Sequence, residues 1–439
     1  MGQQYFQNLW QSLCSQLSST EILLLNYQGE NTHFARFNNN RIRQSGYVQQ
    51  QELALNLIRD QRQCTVDIQL TGDMDADMEL LTTELNGLRQ QLQYLPEDPY
   101  LYFNTEVQNS EWKGDTSVVD AIDAVDQIIQ ICNGLDLVGI WASGGMQRGF
   151  ANSLGQFNWH SQANFNFDWS VYLKTDKAVK QSYAGTHWQV NSFEEKITQA
   201  RNTLEVLRVP PKTIKPGKYR VFLTPDAINE ILCLLSWGGF GLKSHRTAQT
   251  PLLKMIEDRV CLNKKFTLVE QHAKGLTPRF TDTGFLKPDN VVLIENGAYK
   301  DCLSGTRSAK EYGATVNCSQ EVPQSLGVTP GNLAMADVLK ALDTGIWISN
   351  LWYCNYSDRN NGRMTGMTRF ACLWVERGKV VAPLSVMRFD ESIFNLLGEN
   401  LLDLTKEQEW ILDNSTYERR STVNACLPGV LVDDFNLTL

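Results

Sequence analysis

The chain has 439 residues, 42% hydrophobic and 20% charged, and a formal net charge of −9 at pH 7, which is typical of a soluble protein with two or three domains. Its acidic balance and dispersed basic residues argue against a nucleic-acid partner, because binding to phosphates usually needs a clustered basic face. No apolar run approaches the roughly 20 residues of a membrane helix, and no basic region opens the N-terminus, so we expect a cytoplasmic protein with no membrane association.

The first third of the chain alternates between helical and strand patterns. Apolar residues at helical spacing predict a helix over 5–18, and EILLLNYQGENTHFARFNNNRIRQSG then predicts a strand, a turn and a second strand. In QELALNLIRDQRQCTVDIQL apolar residues occupy every second position, so we expect one long strand with a buried face. Helical spacing returns over 73–95 and again over 117–133.

Residues 134–174 predict hairpin strands with glycine turns, and a further helix is expected over 192–207. Within the hairpin, Phe165, Phe167 and Trp169 fall on one alternating face. This pattern favours core packing over a peptide-binding groove.

The segment VPPKTIKPGKYRV is the clearest break in the chain. Three prolines and a glycine within eight residues remove backbone donors and interrupt helical continuity. We therefore predict a domain boundary here, with an N-terminal domain over 1–208 and a C-terminal domain over 216–439.

Short strand-like runs separated by Gly, Asn and Asp dominate the second half of the chain. One helix is expected over 227–235, and two more near 252–259 and 392–402. The predicted fold class is α+β, with an N-terminal mixed α/β domain that has long helices and a C-terminal domain that is mainly antiparallel β.

Five stretches, in chain order, carry a resemblance to a known family. They are RFNNNRIRQSGYVQQQELALNLI, RGFANSLGQFNWHSQANFNFDWSVYL, PGKYRVFLTPDAINEIL, DTGFLKPDNVVLIENGAYKDCL and NNGRMTGMTRFACLWVERGKVVAPLSVMRFDESIFNLL. Their order resembles the TldD/PmbA family, also called TldD/TldE, of cytosolic zinc-peptidase assemblies. The resemblance runs from about residue 20 to the end of the chain.

In that family the TldD-type subunit carries HExxxH on the helix after the third stretch, and a later cysteine completes the zinc site, where the glutamate takes a proton from metal-bound water. Here Glu230 follows Asn229 and precedes Leu234 by four residues, and neither HExxxH nor HExxH occurs in the chain. The chain therefore resembles the TldE/PmbA-type subunit, which lacks the ligands. We assign it no catalytic residue, no metal ligand and no cofactor, and expect zinc only in a TldD-type partner.

The resemblance implies a non-catalytic subunit that pairs with a TldD-like, HExxxH-bearing paralogue, although a homodimer stays open. The assembly would trim or degrade unfolded peptides, held extended through backbone hydrogen bonds by strand addition. The alternative is a self-assembling peptide- or protein-binding protein that has no peptidase partner. The third hypothesis is an autonomous enzyme with a site that the sequence motifs do not identify.

The sequence gives little support for other kinds of catalytic site. Ten scattered cysteines with no CxxC pair predict buried free thiols, while GxSxG, GxGxxG and the Walker phosphate loop are absent. Two alternatives stay open: a cysteine nucleophile paired with a histidine, and an unconventional metal site built from His245, His272 and a carboxylate.

The FANSLG segment supplies the candidate peptide-binding residues Asn152, Ser153 and Gly155. Amide and hydroxyl groups can hold an extended backbone without selecting particular side chains, and a glycine lets another chain approach closely. The competing interpretation is a turn that the asparagine side chain stabilises.

Overall fold

Two large sheets organise the chain. The computed structural model describes residues 2–115, 118–174, 177–416 and 418–439. Its helices are α1 (Gly2–Cys14), α2 (Met74–Leu92), α3 (Ala121–Ile131), α4 (Val190–Leu207), α5 (Pro225–Ser236), α6 (Leu242–Arg246), α7 (Leu253–Ile256), α8 (Thr306–Tyr312) and α9 (Val338–Leu342).

The strands divide between the two halves of the chain. In the first half they are β1 (Ile22–Asn38), β2 (Arg41–Arg59), β3 (Arg62–Leu70), β4 (Ser110–Lys113), β5 (Asp136–Asn152), β6 (Phe157–Lys174) and β7 (Lys177–Gly185). In the second half they are β8 (Gly217–Leu223), β9 (Leu268–Glu270), β10 (Val291–Glu295), β11 (Ala298–Tyr299), β12 (Ser325–Val328), β13 (Gly345–Ile348), β14 (Asn350–Asp358), β15 (Arg363–Arg369), β16 (Leu373–Glu376), β17 (Lys379–Pro383), β18 (Arg388–Ser392), β19 (Leu401–Leu412) and β20 (Asn424–Leu437).

The N-terminal sheet has the order β3-β2-β1-β5-β6, and β4 and β7 both pair with the outer edge of β6. All of its pairings are antiparallel except that of β4 with β6. The expected single strand over 51–70 is wrong, because the chain reverses at Asp60 and Gln61, both at positive φ. The apolar alternation continues through this turn because Leu55 lies opposite Val66.

Two glycines of the predicted 134–174 hairpin lie inside a strand, although the prediction placed the glycines in turns. Gly144 and Gly145 are inside β5 rather than in a turn. A Cβ atom on Gly144 would lie 1.8 Å from the carbonyl oxygen of Asn31 on β1, so only glycine allows these two strands to approach here.

Four helices cover one face of the N-terminal sheet. Helices α1 and α2 pack over β1 to β3, and α3 and α4 pack over β5 to β7. The predicted core role of Phe165, Phe167 and Trp169 is confirmed, since all three are fully buried on this face. Burial of each such side chain contributes about 1.5–3 kcal/mol, so this apolar layer is a main source of stability.

The C-terminal sheet follows the order β11-β10-β9-β12-β20-β8-β13-β16-β17, and a branch of β14, β15 and β18 also joins β20. Helix α5 packs its apolar side into this half. It begins at Thr224, whose hydroxyl accepts from the amide of Ala227, with Pro225 at the first helical position.

Two helices expected from the sequence are much reduced. The helix near 252–259 forms only the short α7, and the one near 392–402 is a single π-helical turn, Asn395–Glu399, followed directly by β19. Gly398 ends that turn with non-helical φ and ψ of −99° and −112°.

The fold is α+β, as the sequence predicted, with long helices in the first half and mainly antiparallel strands in the second. Across the described residues, the helices are all too short or too polar to cross a membrane.

The domain boundary stays a prediction. Residues 209–216 lie between α4 and β8 and join the two sheets, so we expect trypsin to make its first cuts at the exposed Arg208 or at Lys212. Mass spectrometry of early fragments measures this. The matched variant R208Q/K212Q should lose these fragments, and first cuts within 105–207 would contradict the boundary.

Candidate functional site

The two faces of β6 have opposite chemistry. Its odd-numbered aromatic residues pack against the helices, whereas Asn158, His160, Asn164, Asn166 and Asp168 point to the other side. The first four are 0–8% exposed. Because buried amides without partners cost free energy, this polar face needs hydrogen bonds from the elements that cover it.

The C-terminal half covers much of this face and supplies several of those bonds, whereas Asn158 donates to Gln108 and Ser110 of the N-terminal half. The ring of His160 bonds through Nε2 to the carbonyl oxygen of Leu276 at 3.1 Å, and Nδ2 of Asn166 donates to the carbonyl oxygen of Asp413 at 3.3 Å. Burial, with a smaller contribution from the nearby charge of Arg148, lowers the pKa of His160 to about 4, so this ring is neutral at physiological pH.

A cleft of about 410 Å³ opens where this polar face meets α5. Its walls are the middle parts of β6 and β7, one side of α5 along its whole length, and the segments around the end of β19 and the start of β20. The cleft therefore lies between the two halves of the chain, where ligand sites commonly form.

Charged groups line this cleft. Lys180 pairs with Asp168, which also accepts from Nδ2 of Asn414 at 3.0 Å. The hydroxyl of Ser182 donates to Oδ1 of Asp226 at 3.0 Å, across the junction between β7 and α5. The N-terminal sheet thus holds the first turn of α5 through a polar contact.

Asp226 is the most perturbed carboxyl group of the cleft. Burial raises its pKa to about 6, and the negative charge of Glu409 adds to the increase. Lys196 partly offsets both effects; its Nζ lies 2.6 Å from Oε2 of Glu409. Asp226 therefore changes its charge close to neutral pH.

Glu230 and Cys233 line the same cleft and reach solvent through it. The surrounding protein desolvates both groups and raises the pKa of each, that of Cys233 to about 11 with the charges of Glu230 and Asp413 contributing. The thiol stays protonated at neutral pH, which is the reverse of an activated nucleophile. Cys233 also departs from the expectation that the free cysteines are buried.

The side-chain oxygen of Asn350, at the start of β14, is buried in the cleft wall and has no hydrogen-bond partner among the described residues. The residue is 7% exposed. An unpaired buried acceptor costs about 1–3 kcal/mol, so an N–H group from a ligand would stabilise this position.

A zinc ion of the kind that the family resemblance implies does not fit α5. Asn229 and Leu234 flank Glu230 at the spacing of the two histidines, and Leu234 is buried in the C-terminal core. No three His, Cys, Asp or Glu side chains are grouped to hold a metal ion anywhere in the described ranges.

The two histidines considered for an unconventional metal site have other partners. Nε2 of His245 bonds to the carbonyl oxygen of Gly239 at 2.7 Å, and Nδ1 of His272 bonds to that of Pro288 at 2.8 Å. The described contacts therefore use both rings within the fold.

Asn152, Ser153 and Gly155 lie in the turn between β5 and β6 and do not line the cleft. Oδ1 of Asn152 accepts from two backbone amides of the turn, at 3.0 Å each, and the hydroxyl of Ser153 accepts from the amide of Leu23 at 3.1 Å. Gly155 has a φ of +100°, which favours glycine. Peptide binding by the three residues stays a prediction.

Sequence reasoning missed the charged residues of the cleft. A usable signal was present in ANFNFDW, where Asn164, Asn166 and Asp168 alternate with three aromatic residues. Such alternation marks a strand with one apolar and one polar face. That the polar face is buried depends on the C-terminal half, which no local pattern predicts.

Comparisons with known proteins agree with this architecture. The family model of the PmbA/TldA metallopeptidase C-terminal domain matches residues 216–439. No curated protein sequence matches the chain.

Several solved structures share the fold over the whole chain. TldE from Thermococcus kodakarensis has a TM-score of 0.79 at 15% identity, covering 99% of this chain and 100% of its own. A candidate modulator of DNA gyrase from Thermotoga maritima MSB8 has a TM-score of 0.76 at 14% identity, with 100% of both chains covered. One from Bacteroides thetaiotaomicron VPI-5482 has a TM-score of 0.74 at 13% identity, covering 99% of this chain and 98% of its own.

Replacement of Asp226 by asparagine should stabilise the protein in a pH-dependent way. A folded-state pKa of about 6, above the ordinary 3.8, means that this carboxyl group favours the fold at low pH and loses that contribution as pH rises through 6. D226N removes this titration. Its advantage in unfolding free energy over the wild type should grow by about 1–1.5 kcal/mol from pH 5 to pH 8.

Urea unfolding at both pH values measures this difference. The variant D67N, on the exposed part of β3, is the control and should follow the wild type at each pH. A D226N advantage that is constant or shrinks with pH would contradict the raised pKa.

Proposed function

This chain belongs to the PmbA/TldA metallopeptidase family, and we propose that it is the non-catalytic, TldE/PmbA-like subunit of a zinc peptidase that trims or degrades unfolded peptides in the cytoplasm. Its partner would be a TldD-like paralogue that carries HExxxH. The likeness in fold to TldE from Thermococcus kodakarensis supports this assignment.

The residues of α5 carry the proposal. Asn229 and Leu234 stand at the histidine positions of the motif, and neither side chain can replace an imidazole ligand of zinc. Leu234 is also 9% exposed and packs into the core, so it faces away from any metal site in the cleft. The metal and the water that it activates would belong to the partner subunit.

The polar cleft supports a role in holding peptide. Its wall offers the unpaired oxygen of Asn350 and the amides of Asn166 and Asn229, and these groups can bond a peptide backbone of any sequence. Orientation of a peptide against a catalytic group can lower a barrier by several kcal/mol, about 7 in favourable cases. A chain without metal ligands could thus contribute to cleavage by the assembled pair.

Purified alone, the chain should bind no stoichiometric zinc and should not hydrolyse casein, because it lacks the histidine pair. Co-expressed with an HExxxH-bearing paralogue from the same genome, it should co-elute with that paralogue, and the pair should hold zinc and cleave casein. Size-exclusion chromatography, metal analysis and a casein assay measure these outcomes.

The matched control is the same co-expression with both motif histidines of the paralogue replaced by alanine, which should abolish zinc binding and cleavage. Tightly held zinc with chelator-sensitive cleavage by the isolated chain would contradict the proposal. Failure to associate with any such paralogue, together with self-association and peptide binding, would favour the alternative of a binding protein without a peptidase partner.

The double variant N152A/S153A tests the remaining sequence prediction. If these side chains also hold peptide, casein cleavage per folded complex should fall about tenfold, as expected for loss of one or two hydrogen bonds of roughly 1 kcal/mol each. The melting temperature should fall in either case, because both side chains accept from backbone amides. If they only stabilise the turn, the melting temperature should fall and turnover per folded complex should not change.

Both quantities are measured on the same preparation. The variant N191A/S192A, at the start of α4, changes the same two residue types away from the turn and the cleft. It should leave turnover unchanged, so a similar loss of cleavage in this control would remove the case for peptide binding at the turn.

A further inference from the structure

A second polar cavity, of about 430 Å³, lies on the N-terminal sheet away from α5. Strands β1, β2 and β5 form its floor, and residues 418–420 from the C-terminal half form one wall. Three arginines line it, and two of them, Arg148 and Arg420, have no carboxylate partner among the described residues. Their guanidinium groups have few partners, which is unusual for buried charges.

Arg420 is 6% exposed. Its Nη2 donates to the side-chain oxygen of Asn164, whereas its Nη1 is buried and has no hydrogen-bond partner among the described residues. A buried donor on a charged group is costly when unpaired, so this position favours an acceptor from outside the chain.

Among the residues that the structure describes, the guanidinium of Arg148 makes one hydrogen bond, to the carbonyl oxygen of the neighbouring Gln147 at 2.8 Å. Within the described part of the chain no carboxylate oxygen lies within 4.0 Å of this guanidinium or of that of Arg420. Burial lowers the pKa of each arginine to about 10, so both remain charged at neutral pH.

Three glutamates line the cavity; the carboxylates of Glu30 and Glu52 have partners within the fold, and Glu418 is exposed to solvent. Glu52 pairs with Arg419 at 2.8 Å. The two oxygens of Glu30 accept from Nε2 of Gln50 at 2.6 Å and from the backbone amide of Arg420 at 3.0 Å. The guanidinium groups of Arg148 and Arg420 therefore keep N–H groups that no carboxylate of the described residues accepts.

We propose that this cavity binds a carboxylate, and that the carboxylate is the free C-terminus of a peptide. Planar guanidinium groups suit carboxylate oxygens because they present parallel donors. The peptide as ligand rests on the proposed function, whereas the preference for a carboxylate follows from the two arginines alone.

The cavity and the cleft at α5 lie near the same polar face of β6. A smaller cavity between them is lined by Arg420 at one end and by Asn166, Asp168, Asp413 and Asn414 at the other, and these four residues also line the cleft. That small cavity has a volume of only about 10 Å³, so a peptide bound through its carboxylate at Arg148 and Arg420 would lie on the open side of the larger cavity.

Calorimetric titration of the full chain with three short probes tests the proposal. The probes are acetyl-pentaalanine with a free C-terminus, the same peptide as its C-terminal amide, and an acetylated, amidated peptide with one internal glutamate. The free acid should bind at least about tenfold more tightly than the amide, as expected for charge-assisted hydrogen bonds. In R148M this preference should largely disappear, and R148K should restore part of it.

R148M should fold normally, because the guanidinium of Arg148 bonds to a backbone oxygen and to no side chain among the described residues. Thermal melting of the variant tests this expectation. The variant R43M, on the exposed part of β2, is the matched control and should keep the preference. Tight binding of the internal-glutamate probe would support the carboxylate site with a side chain as its source.

Equal binding of acid and amide, an unchanged preference in R148M, or no binding of any probe at about 1 mM would overturn the proposal. These outcomes are independent of the partner subunit. A carboxylate preference without any peptidase assembly would reject only the proposed function, and an active assembly without the preference would reject only this site.

Discussion

The requirement that a buried polar face be hydrogen-bonded determines how the two halves of this chain fit together. Strand β6 presents a row of amides and one neutral histidine to the C-terminal half, and each buried group left unpaired would cost about 1–3 kcal/mol. The carbonyl groups of Leu276 and Asp413 and the side chain of Arg420 bond to His160, Asn166 and Asn164 of that row. This matching fixes one arrangement of the two sheets.

The same requirement identifies buried polar atoms that lack a hydrogen-bond partner among the described residues. Within the row, Nδ1 of His160 has no partner among the described residues, and facing it unpaired atoms remain at Asn350 in the cleft and at Arg420 in the second cavity. The last two are considered as ligand positions. Both atoms are buried and both border open space. A peptide supplies N–H groups and a carboxylate, which are the two kinds of partner that these positions lack.

Fold and chemistry are separable in this family. Structures only 13–15% identical in sequence share the whole architecture, because an apolar core tolerates many substitutions that keep volume and pattern. Catalysis by zinc depends instead on a few imidazole and carboxylate groups at fixed spacing. Replacement of the two histidines by Asn229 and Leu234 would therefore remove the metal from α5 without changing the fold.

The sequence by itself determined the local elements and the lack of the HExxxH motif, because helical spacing, strand alternation and ligand spacing are properties of neighbouring residues. The sequence did not predict the reversal of the chain at Asp60 or the glycines inside β5, because contacts between neighbouring strands determine both features. The cleft, the raised pKa of Asp226 and the unpaired Arg420 came only from the tertiary structure, since each arises from groups far apart in the chain that burial brings together.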